Sequence, residues 1–469
     1  MRRHLLPAIL ALVSVSCAVI GVRVGPHEVA AAARPAPVDQ PGPDAPVLSP
    51  RRVPGLLAQP IGTARLTQTL QGLAATTPPS ACFFVSEGTR VLFAQGIDQP
   101  LVPASGMKLL TAAAAVDQLG ADHRLRTDAV TARPPSAGIV DGDLWLVGGG
   151  DPVLGTAAWA ASFERQPQLT TSLEELADRI VEAGVREVRG GVVGDDSRYD
   201  RARSVPTWPE RYVAGNEVGP LSALSVNDGF AEWEPEAVPF ADPPAGAAKV
   251  FTELLGQRGV VVAGEPSAAT APAGASALAT IESPPIGELV GHMLRESDNG
   301  TAELLVKELG RSRAGSGTTT AGVGVVVSSL RAMGLPTQGV VMRDGSGLDL
   351  GNRVTCRLLH DLLAAGDDGP LDRGLAVAGT TGTLTRRFVG TAASGRLRAK
   401  TGSLRGVASL SGFADTEGGF ELTFSSIVNG VDRFGEGLPL QDALGSALVR
   451  YPDLPSLEEI GPAGYAPAA

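Results

Sequence analysis

Lysine is nearly missing from this chain. Of its 39 basic residues only four are lysines, Lys108, Lys249, Lys307 and Lys400, and arginine supplies the rest. Arginine keeps its proton in any protein environment, whereas lysine can surrender it. Each surviving lysine is therefore a candidate for chemistry rather than surface charge. Histidine is scarce too: the five residues His4, His27, His123, His292 and His360 offer no metal-ligand spacing, so neither a metal nor another cofactor is expected. Of three cysteines, Cys17 lies in the N-terminal segment, which leaves Cys82 and Cys356 as at most one intramolecular pair. Sequence leaves open whether they form a disulfide or two buried thiols. A net charge of −11 and a pI near 5.1, with no compensating basic cluster, exclude a nucleic-acid partner. No fixed-period repeat is present, and no Gly-x-Ser-x-Gly marks a His-dependent esterase. Gly148-Gly149-Gly150-Asp151 lacks the Gly-Lys-Ser/Thr ending of a phosphate loop.

What is present suffices for two or three domains: 469 residues, 43% of them hydrophobic. Met1-Arg2-Arg3, an apolar run from Leu5 to Val22 and Ala30–Ala33 are the parts of a secretory signal, residues 1–33. Cleavage after Ala33 is the preferred expectation. The run at 5–22 is also long enough to stay as a membrane anchor. Both readings place the body outside the cytoplasm. Proline is dense in 34–57, which reads as a stiff linker. Residues 82–87 and 90–94 read as a hairpin about Gly88, and 107–118 as an alanine-rich helix. Strands at 144–147 and 188–193 and a helix at 173–183 lie in a long mixed stretch. Helices follow at 287–295, 302–309, 324–333 and 354–365, then strands at 397–400, 406–414 and 420–428 and a helix at 440–450. This order implies an α+β catalytic domain in two parts, 58–130 and 284–455, interrupted by an insert at 131–283, with a tail at 456–469.

Three short motifs carry the chemistry. Ser105-Gly106-Met107-Lys108 puts a hydroxyl and an amine three residues apart, on one face of a helix. A serine is a weak nucleophile until a base takes its proton, and a desolvated lysine can be that base. Ser297-Asp298-Asn299 offers a second hydroxyl for proton relay and a carboxamide to hold a substrate amide. Lys400-Thr401-Gly402, followed by Ser403, offers a cation and a hydroxyl to a carboxylate, with Gly402 letting a substrate backbone lie close. Each has a bland reading, as helix cap, capping turn or strand end. All three in this order outweigh those readings together. Glu303 and Glu308, on the helix after Asn299, read as surface charges.

Ser-x-x-Lys, Ser-Asp-Asn and Lys-Thr-Gly together form the signature of penicillin-binding proteins and class A β-lactamases. The spacing here, 192 residues from Ser105 to Ser297 and 103 from Ser297 to Lys400, resembles the class C low-molecular-mass penicillin-binding proteins, a D-alanyl-D-alanine carboxypeptidase/endopeptidase family. Val102–Ser105, Gly148–Pro152, Leu221–Asn227 and Asp344–Leu348 also match it. The resemblance implies a penicillin-binding/β-lactamase-like fold, an antiparallel sheet flanked by helices, with one or two extra domains in the insert. It implies Ser105 as nucleophile, Lys108 as base, Ser297 and Asn299 in relay and positioning, and Lys400 and Thr401 on the substrate carboxylate. The backbone amides of Ser105 and Ser403 would form the oxyanion hole. Asp195, with Asp196 as its alternative, would meet a cationic substrate side chain. The family usually carries Ser-Arg where Asp349-Leu350 stand, and Arg353 is the candidate replacement. Peptidoglycan stem peptides are the implied substrates, β-lactams the implied inhibitors, and cross-link cleavage an additional expected activity. The alternatives are a β-lactamase or a β-lactam-binding sensor or wall-binding protein.

Overall fold

The computed structural model describes residues 54–366, 369–431 and 437–456. The expected signal, most of the linker and nearly all of the C-terminal tail lie outside the described residues. Residues Ala58–Pro455 group as one unit, and the chain ends 1–57 and 456–469 fall outside it.

Helix α1 (Pro54–Ala75) starts inside the stretch expected to be linker, with Pro54 in its first turn, where a missing N–H is tolerated. The hairpin follows as expected, β1 (Ala81–Glu87) and β2 (Arg90–Gln95), turning at Gly88 with φ 53°. A short 3-10 turn, Ala104–Met107, then leads into α2 (Lys108–Leu119).

The next stretch builds its own sheet. Strands β3 (Arg126–Thr131) and β4 (Leu144–Val147) precede α3 (Leu173–Glu182), β5 (Val192–Asp195), α4 (Pro243–Gln257), β6 (Ser267–Ala268) and β7 (Ser276–Glu282). They pair in the order β6-β5-β4-β3-β7, parallel between β6, β5 and β4 and antiparallel elsewhere. The single strand expected at 188–193 is instead two. Glu187–Val188 joins a separate three-stranded parallel sheet, and Val192–Asp195 is β5. The Gly190-Gly191 pair between them has no side chains to pack and breaks the run. Because β3 belongs to this sheet, the inserted layer begins at Arg126, ahead of the expected boundary. Its apolar core includes Leu144, Leu146, Leu176, Ile180, Phe251 and Leu255, all fully buried.

Helices α5 (Ile286–Glu296), α6 (Asn299–Ala314), α7 (Thr319–Ala332) and α8 (Cys356–Ala364) resume the first domain. The last two start where a threonine caps them: Thr318 accepts from Ala321 N and Thr355 from Leu358 N. Strands β8 (Ala376–Val377), β9 (Leu397–Leu404), β10 (Val407–Asp415) and β11 (Glu421–Asn429) and helix α9 (Leu438–Val449) close the chain. The six-stranded sheet runs β8-β9-β10-β11-β1-β2, antiparallel throughout. One face packs α2, α5, α6 and α8 through residues such as Phe84, Leu110, Met293, Leu305, Leu359 and Ile427. The other packs α1 and α9 through Leu70, Phe83, Leu410, Phe424 and Leu448. This three-layer α/sheet/α body is the α+β arrangement that the motif order implies. Cys82 on β1 and Cys356 on α8 are bridged by a disulfide, which decides between the two cysteine readings.

Candidate active site

All three motifs meet at one end of this body. Pro103 restricts the chain ahead of the 3-10 turn, and Ala104 takes a positive φ of 49°. That turn holds Ser105 at the start of α2 and places it over Lys108. The lysine is fully buried. Its Nζ donates to Asn299 Oδ1 (2.7 Å) and to the Ser346 carbonyl (2.8 Å), and Ser105 Oγ lies 3.0 Å away. A neutral amine has two N–H groups and one lone pair. Two pure acceptors and one hydroxyl match that inventory and leave the lone pair for the serine proton. Burial pulls Lys108 down to about 8, against the opposing pull of Asp298, Asp344 and Glu303.

Ser-Asp-Asn is at once a cap and a site. Ser297 ends α5 in the left-handed region, φ 63°, and Asp298 caps α6 by accepting from Thr301 N. That junction aims Ser297 and Asn299 into the same space. Ser297 Oγ accepts from Lys400 Nζ (2.9 Å), and Asn299 Nδ2 donates to the Glu217 carbonyl (2.7 Å). Lys400 is itself buried on β9 and also donates to the Thr401 carbonyl (2.8 Å). Burial first, and then the Lys108 charge, push its amine well below the usual range. The two site lysines thus discourage each other from being cations together.

Gly402 lets β9 pack closely against the nucleophile's turn: a Cβ there would stand 2.2 Å from Ser409 Oγ and 2.8 Å from the Pro103 carbonyl. Gly347, at φ 90°, does the same for the Asp344–Leu348 loop: a Cβ would meet the Ala104 carbonyl at 1.9 Å.

A cleft of about 590 Å³ opens over these groups, with Ser105, Ser297, Asn299, Thr401 and Ser403 in its lining. Arg211, Tyr212, Glu217 and Arg405 line it too, and no sequence signal singled them out. Asp195 is not among the lining residues. It is buried, and its two oxygens accept from the Ser197 and Ala271 amides (2.8 and 2.7 Å), which makes it a turn-holding group. Asp196 is taken up by Arg203 (2.6 Å) and the Ser222 hydroxyl (3.0 Å). The Arg353 guanidinium donates to the backbone carbonyls of Leu350 and Asn352 (2.7 Å each), and Arg353 does not line the cleft. Asp349, where the family's Ser-Arg would begin, accepts from Thr207 Oγ1 and ties the loop to the insert.

Glu303 and Glu308 are not surface charges. Both are fully buried. Glu308 is held by Arg198 through two bonds (2.8 and 2.7 Å) and by Tyr199 Oη (2.9 Å). Glu303 Oε1 accepts from the Gly345 and Ser346 amides (3.0 and 2.7 Å).

Comparison with known proteins agrees with this geometry. Residues 85–239 and 231–444 match the family described as D-Ala-D-Ala carboxypeptidase 3 (S13). A carboxypeptidase DacB of Mycolicibacterium smegmatis is 32% identical over 461 residues, covering 94% of this chain and 95% of its own. A D-alanyl-D-alanine carboxypeptidase of Actinomadura sp. strain R39 is 32% identical over 441 residues, 77% of this chain and 79% of its own. The crystal structure of penicillin binding protein 4 from Haemophilus influenzae shares the fold, with a TM-score of 0.67 at 20% identity over 81% of this chain and 97% of the other. With the match running through most of the chain and the three motifs converging on one cleft, the chain belongs to the D-Ala-D-Ala carboxypeptidase 3 (S13) family.

Proposed function

We propose that this chain is a serine-type D-alanyl-D-alanine carboxypeptidase that removes the terminal D-alanine of peptidoglycan stem peptides through an acyl-enzyme on Ser105. The observation that carries the reading is the buried Lys108 amine, 3.0 Å from Ser105 Oγ and satisfied as a free base. Lys108 takes the Ser105 proton as Oγ attacks the penultimate D-alanine carbonyl. The developing oxyanion sits on the Ser105 and Ser403 amides. Ser297, held by Lys400, passes a proton to the leaving amine. Lys400 and Thr401 receive the terminal carboxylate. Water then hydrolyses the ester and restores Ser105.

The insert runs from 126 to 283, starting ahead of the expected 131 because β3 belongs to its sheet, and the catalytic body comprises 58–125 and 284–455, a partition that the separate sheets and cores support. Family membership and the Cys82–Cys356 bridge support action outside the cytoplasm, where disulfides persist. Cleavage after Ala33 or anchoring by residues 5–22 would place the body there, and no structure is described for those residues. A muropeptide pentapeptide incubated with the enzyme should release free D-alanine, and Ser105→Ala should abolish the release. Cross-linked muropeptides in the same assay report endopeptidase action. If the pentapeptide is untouched while penicillin is hydrolysed, the β-lactamase reading replaces this one.

A further inference from the structure

Two buried acids face each other behind the nucleophile's base, and they are held very differently. Asp344 accepts four hydrogen bonds: from the Gly347 amide (2.9 Å), the Asp349 amide (2.7 Å), Asn352 Nδ2 (2.7 Å) and Trp208 Nε1 (2.8 Å). That is a shell built for an anion. Glu303 has its two backbone donors on Oε1 alone, and its Oε2 makes no hydrogen bond among the described residues although the side chain is fully buried. A buried carboxylate with a bare oxygen is poorly stabilised, whereas a neutral carboxyl leaves far less charge unsolvated. Burial raises Asp344 too, but its four donors oppose that rise, so a proton shared by the pair rests on Glu303.

The Ser346 peptide links this acid to the catalytic amine. Its N–H donates to Glu303 Oε1, and its carbonyl accepts from Lys108 Nζ. We propose that Glu303 is a positioning residue for Lys108: a neutral carboxyl that fixes the Ser346 carbonyl against Nζ without supplying the counter-ion that would lock the amine as a cation. The inference rests on the reading of Lys108 as the base. Burial and the neighbouring Asp344 raise Glu303 to about 8, in keeping with the geometry. The charged groups that act on the Glu303–Lys108 pair are Asp344 on the loop, Asp298 at the start of α6 and Lys400 on β9. Of these groups, Glu303 is the one that combines complete burial with an oxygen lacking a partner among the described residues.

Glu303→Gln separates the roles, because a carboxamide oxygen can still accept from the Gly345 and Ser346 amides but carries no charge at any pH. The rate of Ser105 acylation by a fluorescent penicillin, followed against pH, is the readout. In the wild type, Glu303 ionises at the alkaline end and holds Lys108 protonated. In Glu303→Gln that drag is gone, so the two profiles coincide below about pH 7 and the variant runs ahead by up to about twofold near pH 8, where about half of the wild-type Lys108 is already the free base. Superimposable profiles would reduce Glu303 to a structural prop and overturn the proposal. A tenfold gain already present below pH 7 would mean that Glu303 is an anion at working pH, which overturns it equally. Should Glu303→Gln fail to fold, infrared spectra of the wild type give the answer. A protonated-carboxyl band present at pH 7 should disappear as pH rises through about 8, and a band that does not change over that range overturns the proposal. Lys108→Arg separates the two levels of argument. Wild-type acylation in Lys108→Arg would sink the base itself. An inactive Lys108→Arg beside an unshifted Glu303→Gln would sink only the role of Glu303.

Discussion

As the proposed base, Lys108 works only when it has lost a proton, and burial sets the pH at which that happens. Its amine is drawn from 10.5 in water down to about 8, mainly by desolvation. The free base is therefore scarce below that value and dominant above it. Acylation of Ser105 should rise about tenfold per pH unit well below 8 and level off above it, as stopped-flow acylation across pH 6 to 9 would measure. A rate independent of pH over that range would exclude Lys108 as the base. Lys108→Arg keeps size and charge and removes the titratable amine. It should lower acylation by at least about a hundredfold, within the range that general-base catalysis supplies. Ser105, Lys108, Ser297, Asn299 and Lys400 were legible in the sequence because each motif is short, fixed in spacing and rich in groups that chemistry needs. Glu303 and the Ser346 carbonyl were not. They act through burial and through contacts between residues about 40 apart in sequence, which no local spacing encodes. Asp195 misled for a related reason: an acidic turn after a strand looks the same whether its oxygens face a ligand or its own backbone.

Helix α6 shows what a one-dimensional reading misses at the level of elements. Residues 301–310 are all buried although Glu303, Lys307 and Glu308 lie among them. A charged helix normally presents such residues to water, so the sequence pointed outward. Here the other covering surface is the insert. Lys307 pairs with Asp200, and Glu308 binds Arg198 and Tyr199, so this one helix carries Asn299 at its start and docks the insert along its length. Element types were readable from periodicity and from the Gly88 turn, whereas the Thr318 cap that starts α7 at Thr319, ahead of the expected 324, was not. Where two sheets share a boundary the pattern failed, because Val188 and Val192 look continuous until tertiary pairing separates them. Glu308→Ala would leave Tyr199 and the half-buried Arg198 without their acceptor. A cost of about 2–4 kcal/mol follows, below the full value for a buried pair because Arg198 keeps some solvent. Urea denaturation should show the loss, and limited proteolysis should cut faster within 198–203. An unchanged midpoint and an unchanged digest would mean that the ion pair does not dock the insert.

Across the whole molecule, the Cys82–Cys356 bridge ties the first hairpin to α8 across a sequence separation of 274, enclosing the insert and two of the three motifs. Chain-entropy reasoning gives such a loop up to about 5 kcal/mol. Cys82→Ser with Cys356→Ser should therefore lower the midpoint of thermal unfolding clearly, and an unaltered midpoint would show the bridge to be energetically idle. The same architecture decides the fate of penicillin. When a stem peptide acylates Ser105, the freed D-alanine diffuses away and water can take its place. When a β-lactam acylates it, the leaving nitrogen stays tethered to the acyl group, and release needs an activated water. Class A β-lactamases activate that water with a glutamate. Here Glu303 and Glu308 lie buried behind the site, committed to the Ser346 loop and to Arg198, and neither lines the cleft. The acid in the cleft lining is Glu217, whose backbone carbonyl is fixed by Asn299 and whose side chain is exposed. An exposed carboxylate without a fixed partner is a weak means of aiming water past a tethered group. The penicilloyl ester on Ser105 should accordingly persist for minutes or longer. Intact-protein mass spectrometry after brief exposure to penicillin should show the adduct in the wild type, none in Ser105→Ala and little in Lys108→Arg. A return to the unmodified mass within seconds would show a working hydrolytic water, and the loss of that return in Glu217→Gln would name the group that activates it.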